Sequence, residues 1–306
     1  MILLNQKIHN ILWSNLPSLA NQWSSKITYK RNQMVVFKNH IYRNIVNSNQ
    51  NVKPNLNTGK WLSFGVDNVH ACIDLRSHTQ TEMPDGLDYI ELKIEATDIN
   101  TLAFGAVTGR MLTIIEKDGN NNQLNSTNIP IGHERTCSNN WYSYYYCPIP
   151  DQGNLSIGQS MDVVHSPVDP RTAVIEITIE KNGKGKAGLG SLIGDQAKQL
   201  GETQFGTEID LIDYSEKVQD KEGVTEIKHR DVQEITQCKI NIPAKQTQII
   251  KRQIKTSLGE VIMIIAEPEK DSNYENLITL GYIDRFTMRI DNGVLTSADM
   301  TIKESI

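Results

Sequence analysis

The sequence predicts a mainly β protein built as a small aromatic-rich β module, a β-sandwich, and a C-terminal antiparallel α+β domain with one helix. Three observations carry that reading. Apolar and polar residues alternate over short runs between residues 89 and 179, as strands with one buried face require. Turn signals such as Asp118-Gly119 separate these runs at short spacing, with no helical period among them. A helical stripe is carried by residues 243–258.

The 306 residues suffice for two or three domains, and 22% charged with 38% apolar residues suits a soluble globular chain. The net charge is −5 and no basic block is present. A nucleic-acid partner is therefore not expected, because neutralising phosphates needs a positive stripe. No run approaches the roughly 18 apolar residues of a membrane span. Met1-Ile2-Leu3-Leu4 lacks the basic start and long apolar core of a signal peptide, so synthesis in a cytoplasm is the expectation.

Residues 1–20 read as an N-terminal arm. Ile8, Leu12, Leu16 and Leu19 form an apolar stripe that Pro17 interrupts. Such an arm would pack on the next domain or dock on a neighbouring subunit.

Residues 21–66 read as a small module. Val35 and Phe37 face one way and Val36 and Lys38 the other; Asn39-His40 makes a tight turn and residues 41–45 a return strand. Trp23 and Trp61 bracket this hairpin. A unit of roughly 40 residues buries little surface, so aromatic rings of about 150–250 Å² each would supply most of its core. Residues 47–57, rich in Asn and holding Pro54, read as a loop.

Residues 67–180 read as the β-sandwich. Residues 89–96 place Ile90, Leu92, Ile94 and Ala96 inward; residues 111–116, 141–146 and 172–179 supply further strands. Residues 181–186, polar and glycine-rich, mark a hairpin or hinge, and 184–190 a flexible connection.

Residues 187–306 read as the α+β domain. Strands are expected at 207–211, 225–228, 233–242, 261–266 and 286–290. Between them, Pro243 suits the first turn of a helix whose face carries Ile250, Ile254 and Leu258, with Gly259 as its stop.

Two resemblances follow from these residues. Trp23, Tyr29, Val35, Tyr42, Asn47, Pro54 and Trp61 resemble, in order, the short chitin-binding type of carbohydrate-binding module (family 5/12-like). The chain departs from that pattern where Asn32 and Asn39 stand for glycines. A Trp-Trp pair used by some members is absent. The resemblance implies a ligand site on Trp23, Tyr29, Tyr42 and Trp61, since aromatic faces stack on sugar C–H surfaces. The alternative is that these rings are simply the module's core.

Further along, Asp67-Asn68-Val69-His70-Ala71-Cys72-Ile73-Asp74 with Thr79-Gln80-Thr81, the aromatic run 141–146 before Pro148, and Gly201-Glu202-Thr203-Gln204-Phe205-Gly206-Thr207 with Asp213-Tyr214-Ser215-Glu216-Lys217, Asp220, Gly223 and Arg230 form a second pattern. Their order is similar to that of tail-tip or baseplate proteins of long-tailed bacteriophages. That resemblance implies a virion structural protein that joins the tail tube to receptor-binding parts. Its partners would be other phage tail or baseplate proteins, a homo-oligomeric ring or trimer, and host cell-surface polysaccharide. Ser215, Lys217 and Arg230 would form an exposed polar network at a subunit contact, or be ordinary solvated residues.

The chemistry of an enzyme is not visible. Seven histidines (His9, His40, His70, His78, His133, His165 and His229) show no HxH or HExxH spacing, and neither G-x-S-x-G nor a phosphate-cradling glycine motif occurs. His133 and Cys137 are four apart in a loop, and His78 reads as part of a salt-bridge cluster with Asp74, Arg76 and Asp85. Cys72, Cys137, Cys147 and Cys238 form no CxxC pair; Cys137 and Cys147 would meet across a hairpin or stay free thiols. No catalytic residue, metal or cofactor is expected. The rival expectations are a glycan-binding adhesin and an accessory domain protein of a carbohydrate-active enzyme.

Overall fold

The computed structural model describes residues 1–56, 59–131, 161–183, 185–219, 225–266, 277–290 and 294–306. The expected strand 141–146, the turn 220–223, and His133, Cys137, Cys147 and Pro148 lie outside the described residues. Among the described residues the regular structure is mainly strand, with one α-helix near the C-terminus.

A sandwich forms around the alternating runs. One sheet holds, in order, Gln123–Pro130, Met111–Lys117, Val174–Glu180, Tyr89–Glu95 and Ile11–Ser14, all antiparallel. The other holds Met161–His165, Thr101–Val107 and Ser191–Asp195. Ile90, Leu92, Ile94, Leu112, Ile114, Ile175, Ile177 and Ile179 face Leu102, Phe104, Val107, Val163 and Leu192 in one core. Each such side chain contributes about 1.5–3 kcal/mol when fully buried, which is why the period-two pattern dictates this face.

Among the described residues the C-terminal sheet has eight strands. Its main path runs Lys198–Gln199, Ile2–Asn5, Ile262–Ile265, Ile278–Ile290, Leu295–Glu304, Val232–Pro243 and Glu202–Thr203, with Glu208–Asp213 also pairing Val232–Pro243. The helix Thr247–Ser257 lies on one side of it. Ile250 and Ile254 pack there with Leu3, Ile240, Ile264 and Ile302. On the other side Leu4, Met263, Ile265 and Leu280 meet Ala103 and Ile193 of the sandwich. Leu258, expected on the buried helix face, is exposed because the helix ends at Ser257. Ser257 is buried instead and its hydroxyl bonds Asn5. Gly259 does provide the stop, at φ +86°.

The structure corrects the reading of residues 1–20 as an arm. Ile2–Asn5 sits inside the C-terminal sheet, paired on both sides, and Ile11–Ser14 closes the edge of the sandwich. Backbone N–H and C=O groups buried between strands need ladder partners, and these two strands provide them. The sandwich also extends past residue 180, because Ser191–Asp195 pairs with Thr101–Val107. Within the stretch 184–190, read as a flexible connection, residue 184 lies outside the described residues, and Gly188–Leu189 is a strand paired with Thr81–Glu82. A Cβ on Gly190 would sit 2.8 Å from that of Ala106, so glycine is there for close packing.

The module leaves the chain after Ile11–Ser14 and returns through Trp61–Val66. Its three-stranded sheet runs Met34–Phe37, His40–Asn44, Trp61–Val66. The turn falls on Lys38-Asn39, one residue earlier than expected, with φ of 50° and 65°. Two left-handed residues are what a two-residue hairpin loop requires. Asn32, at φ 68°, likewise takes a left-handed conformation where the module family has glycine; Asn is the side chain that tolerates it best.

Candidate functional site

The four aromatic residues of the expected sugar site separate into two groups. Tyr29 and Trp61 are buried, 3% and 2% exposed, with ring centroids 5.4 Å apart edge to face. The Trp61 indole N–H donates to the Val52 carbonyl at 3.0 Å. The Tyr29 hydroxyl accepts from the Ser24 N–H at 2.6 Å. With both faces covered and polar atoms satisfied, neither ring can stack on a sugar; they and Val35 are the module's core.

Trp23 and Tyr42 are half-buried against that core. Trp23 meets Phe37 edge to face at 5.3 Å. Phe37 is the cross-strand partner of His40, and the His40 and Tyr42 rings lie 6.4 Å apart. A row of four part-exposed rings, Trp23, Phe37, His40 and Tyr42, therefore follows the hairpin. Phe37 and His40 were not among the expected contacts. Their signal was the hairpin register, which places them opposite each other once the turn is set on Lys38-Asn39. The Trp23 indole N–H is buried without a hydrogen-bond partner among the described residues.

Two polar centres hold the module's shape. Asn44, fully buried, donates through Nδ2 toward the carbonyls of Tyr29, Lys30 and Val46, and its Oδ1 accepts from Asn49 at 3.0 Å. At the neck, buried Asp67 accepts from the Ser18 hydroxyl at 3.0 Å and the Leu19 N–H at 3.4 Å, while its own N–H donates to the Asn39 carbonyl at 2.8 Å. Asp67 also begins the run 67–74, whose neighbours Asn68, Cys72 and Asp74 bond to Thr79, Thr81 and Glu82. Thr81 Oγ1 joins Cys72 N–H to the Asn68 carbonyl, and Thr79 Oγ1 donates to Asp74 at 2.7 Å. Asp74 thus takes Thr79 and the Arg76 N–H, and Asp85 lies 3.9 Å from Lys186 in place of His78.

A cleft of about 470 Å³ lies between the hairpin tip and the body, lined in part by His9, Lys38, His40, His70, Asp74 and Glu260. Burial lowers the His70 pKa from its ordinary value and outweighs the attraction of Asp67. Among the described residues, no group of three His, Cys, Asp or Glu is placed to hold a metal ion. Burial pushes the Cys72 thiol up to about 12 and that of Cys238 to about 11, so neither presents a reactive thiolate at neutral pH.

The most acid–base-like arrangement is internal to the sandwich. Glu116 and His165 are both buried, with Oε1 and Nε2 2.8 Å apart. The Asp169 N–H and Thr172 hydroxyl donate to Glu116 Oε2 at 2.8 and 3.1 Å. Burial raises the Glu116 pKa; hydrogen bonds from Asp169, His165 and Thr172 outweigh it and leave the carboxyl below its ordinary value. The pair joins Met111–Lys117 of one sheet to Met161–His165 of the other, a structural tie across the sandwich.

No family model matches the chain, and no curated protein matches it. Among solved structures, the chain is similar to a chitosan-binding module from a chitosanase/glucanase of Paenibacillus sp. IK-5. That match has a TM-score of 0.27 at 10% identity and covers 41% of this chain and 82% of the other.

Proposed function

We propose that this chain is a non-enzymatic structural component of a phage tail tip or baseplate that carries a small module on a knitted β body. The observation that supports an architectural role is the path of the chain. Its first strand is enclosed in the C-terminal sheet and its second closes the sandwich, and the module then departs and returns at one neck clasped by Asp67. Such a body holds its parts in fixed relation and presents the module outward. The motif order described above supports placing it in a tail. The buried Glu116–His165 pair is a fold determinant in this reading, with no part in catalysis.

The test is to look for the protein in purified particles by mass spectrometry and to measure the mass of the isolated full chain in solution. Presence at the tail end, with self-association or association only with tail proteins, is the expected result. A strictly monomeric protein absent from purified particles overturns it.

A second reading, adhesion to a surface glycan, is favoured by the ring row Trp23, Phe37, His40 and Tyr42. Retention of the full chain on insoluble chitin or host envelope polysaccharide, lost on Trp23→Ala in a protein that stays folded, would support it. No retention of the folded wild type leaves the module as a spacer.

A further inference from the structure

We propose that the side chains of Lys198 and Asn5 join as an isopeptide bond, Nζ to Cγ with loss of ammonia, a self-made crosslink that locks the first strand of the chain to the edge of the C-terminal sheet. The proposal stands on the geometry of one polar cluster and does not depend on the tail reading.

The cluster forms where four segments meet. Strand Ile2–Asn5 pairs with the edge strand Lys198–Gln199, with Leu3 opposite Lys198. Asn5 shares a face with Leu3, so it is the diagonal neighbour of Lys198, within reach of a long side chain. Asp195 ends the sandwich strand Ser191–Asp195. Ser257 ends the helix, and Glu260 follows the Gly259 stop.

Lys198 Nζ lies 2.5 Å from Asn5 Oδ1. A carbonyl carbon sits about 1.2 Å from its oxygen, so Nζ is at most about 3.7 Å from Asn5 Cγ. Reacting atoms held for attack stand roughly 3–3.5 Å apart, and fixing them there is worth an effective concentration on the order of 10⁵–10⁸ M. An amide that is inert in free solution becomes reactive on those terms.

The neighbours supply what aminolysis of an amide needs. Ser257, fully buried, donates its hydroxyl to the same Oδ1 at 3.1 Å, where negative charge develops on attack. Glu260 Oε2 accepts from Asn5 Nδ2 at 2.8 Å, beside the nitrogen that leaves. Two donors on Oδ1 and a carboxylate on Nδ2 fix the orientation of the amide. Asp195, its side chain 1% exposed, has Oδ2 3.3 Å from Lys198 Nζ, placed to take its proton. The Asn5 backbone N–H donates to the same oxygen at 3.0 Å and holds the base beside the amide. Oδ1 of Asp195 meets Lys7 Nζ at 3.2 Å. One carboxylate thus faces two ammonium groups, and Lys198 can give up its charge without leaving a bare buried anion.

In the step itself, Nζ gives one proton to Asp195 and its lone pair attacks Cγ. Ser257 holds the tetrahedral oxyanion on Oδ1. The Cγ–Nδ2 bond breaks as Nζ loses a second proton by way of Glu260. Both protons pass to Nδ2, which departs as ammonium past the exposed Glu260 and leaves the two carboxylates ionised. No oxidant or cofactor is consumed.

The experiment is intact mass spectrometry of the folded full chain, followed by protease digestion and fragment sequencing. The wild type is expected to be lighter than its sequence by one ammonia, about 17 Da, and to yield one branched peptide joining Asn5 to Lys198. Lys198→Arg is expected to keep its full mass and to melt at a lower temperature. Glu260→Gln, at an exposed position, is expected to slow the appearance of the lighter species in freshly made protein on the order of 100-fold. A folded wild type at full mass after prolonged incubation, a branch at other residues, or Lys198→Arg that still loses ammonia overturns the bond and leaves Lys198 an ordinary partner of Asp195. Glu260→Gln that links at the wild-type rate overturns the proton route. The wild-type mass decides the first point without requiring any variant to fold.

Discussion

The Asp67 carboxylate receives the Ser18 hydroxyl at 3.0 Å, so the segment that leaves the module holds the segment that enters it. The second carboxylate oxygen takes the Leu19 N–H, and the Asp67 backbone reaches the hairpin tip at Asn39. One side chain thereby sets how the module stands on the body. Asp67→Ala removes a charged acceptor, worth about 1.5–3 kcal/mol, at the neck and nowhere else. Hydrogen exchange is expected to quicken at the amides of Leu19, which loses its acceptor, and of residue 67, whose N–H donates to the Asn39 carbonyl, and to stay unchanged in the sandwich. Uniform exchange throughout would show that the neck is held by other contacts.

The two tryptophans of the module should behave oppositely. Trp61 fills the core, so Trp61→Ala is expected to cost about 3–5 kcal/mol and to unfold the module. Trp23 is half-buried, and Trp23→Ala should cost clearly less. Tryptophan fluorescence during urea titration separates them. Equal losses would mean that Trp23 is as deep in the core as Trp61.

Much of the fold was legible because its signals are local. The alternation of Ile90, Leu92 and Ile94 reads directly as a buried strand face, and each is fully buried. Gly259 read as the helix stop, and it is left-handed there. What was missed depends on distant partners. Ile2 pairs with Gln199 and Ile265, and nothing near residue 2 announces either. The candidate site divided, with Tyr29 and Trp61 inside and Trp23 and Tyr42 half-buried, for a related reason. Aromatic spacing in a small module suits a core and a binding surface equally, and only the three-dimensional packing put Tyr29 and Trp61 inside. Asn44, the amide around which the loops close, had no signal beyond being one Asn among many.

Acid should weaken the sandwich through Glu116. Its carboxyl is held below the ordinary value of 4.5 in the folded protein. A depressed folded pKa contributes stability that is present above the unfolded value and lost as pH falls through the folded one. Urea midpoints are therefore expected to fall as pH drops below about 4.5, and Glu116→Gln should flatten that limb. Removing the group altogether, as Glu116→Ala, should cost about 1–3 kcal/mol for each buried group it leaves unsatisfied, the Asp169 N–H and the Thr172 hydroxyl among them. An unchanged acid limb in Glu116→Gln would assign the acid sensitivity to other carboxylates.

Leu3 and Leu4 divide between the two cores of the body, Leu3 toward the helix and Leu4 toward the sandwich, and both are fully buried. The strand that carries them is the physical link between the first residues of the chain and its last domain. Leu4→Ala is expected to cost about 2–5 kcal/mol, while Leu12→Ala, at an exposed position of the next strand, should stay within about 0.5 kcal/mol. Calorimetry of the full chain decides it. If residues 1–5 were a dispensable extension, the two substitutions would be equally mild. A large loss confined to Leu4 would instead mean that the contact between the C-terminal sheet and the sandwich depends on the N-terminal strand.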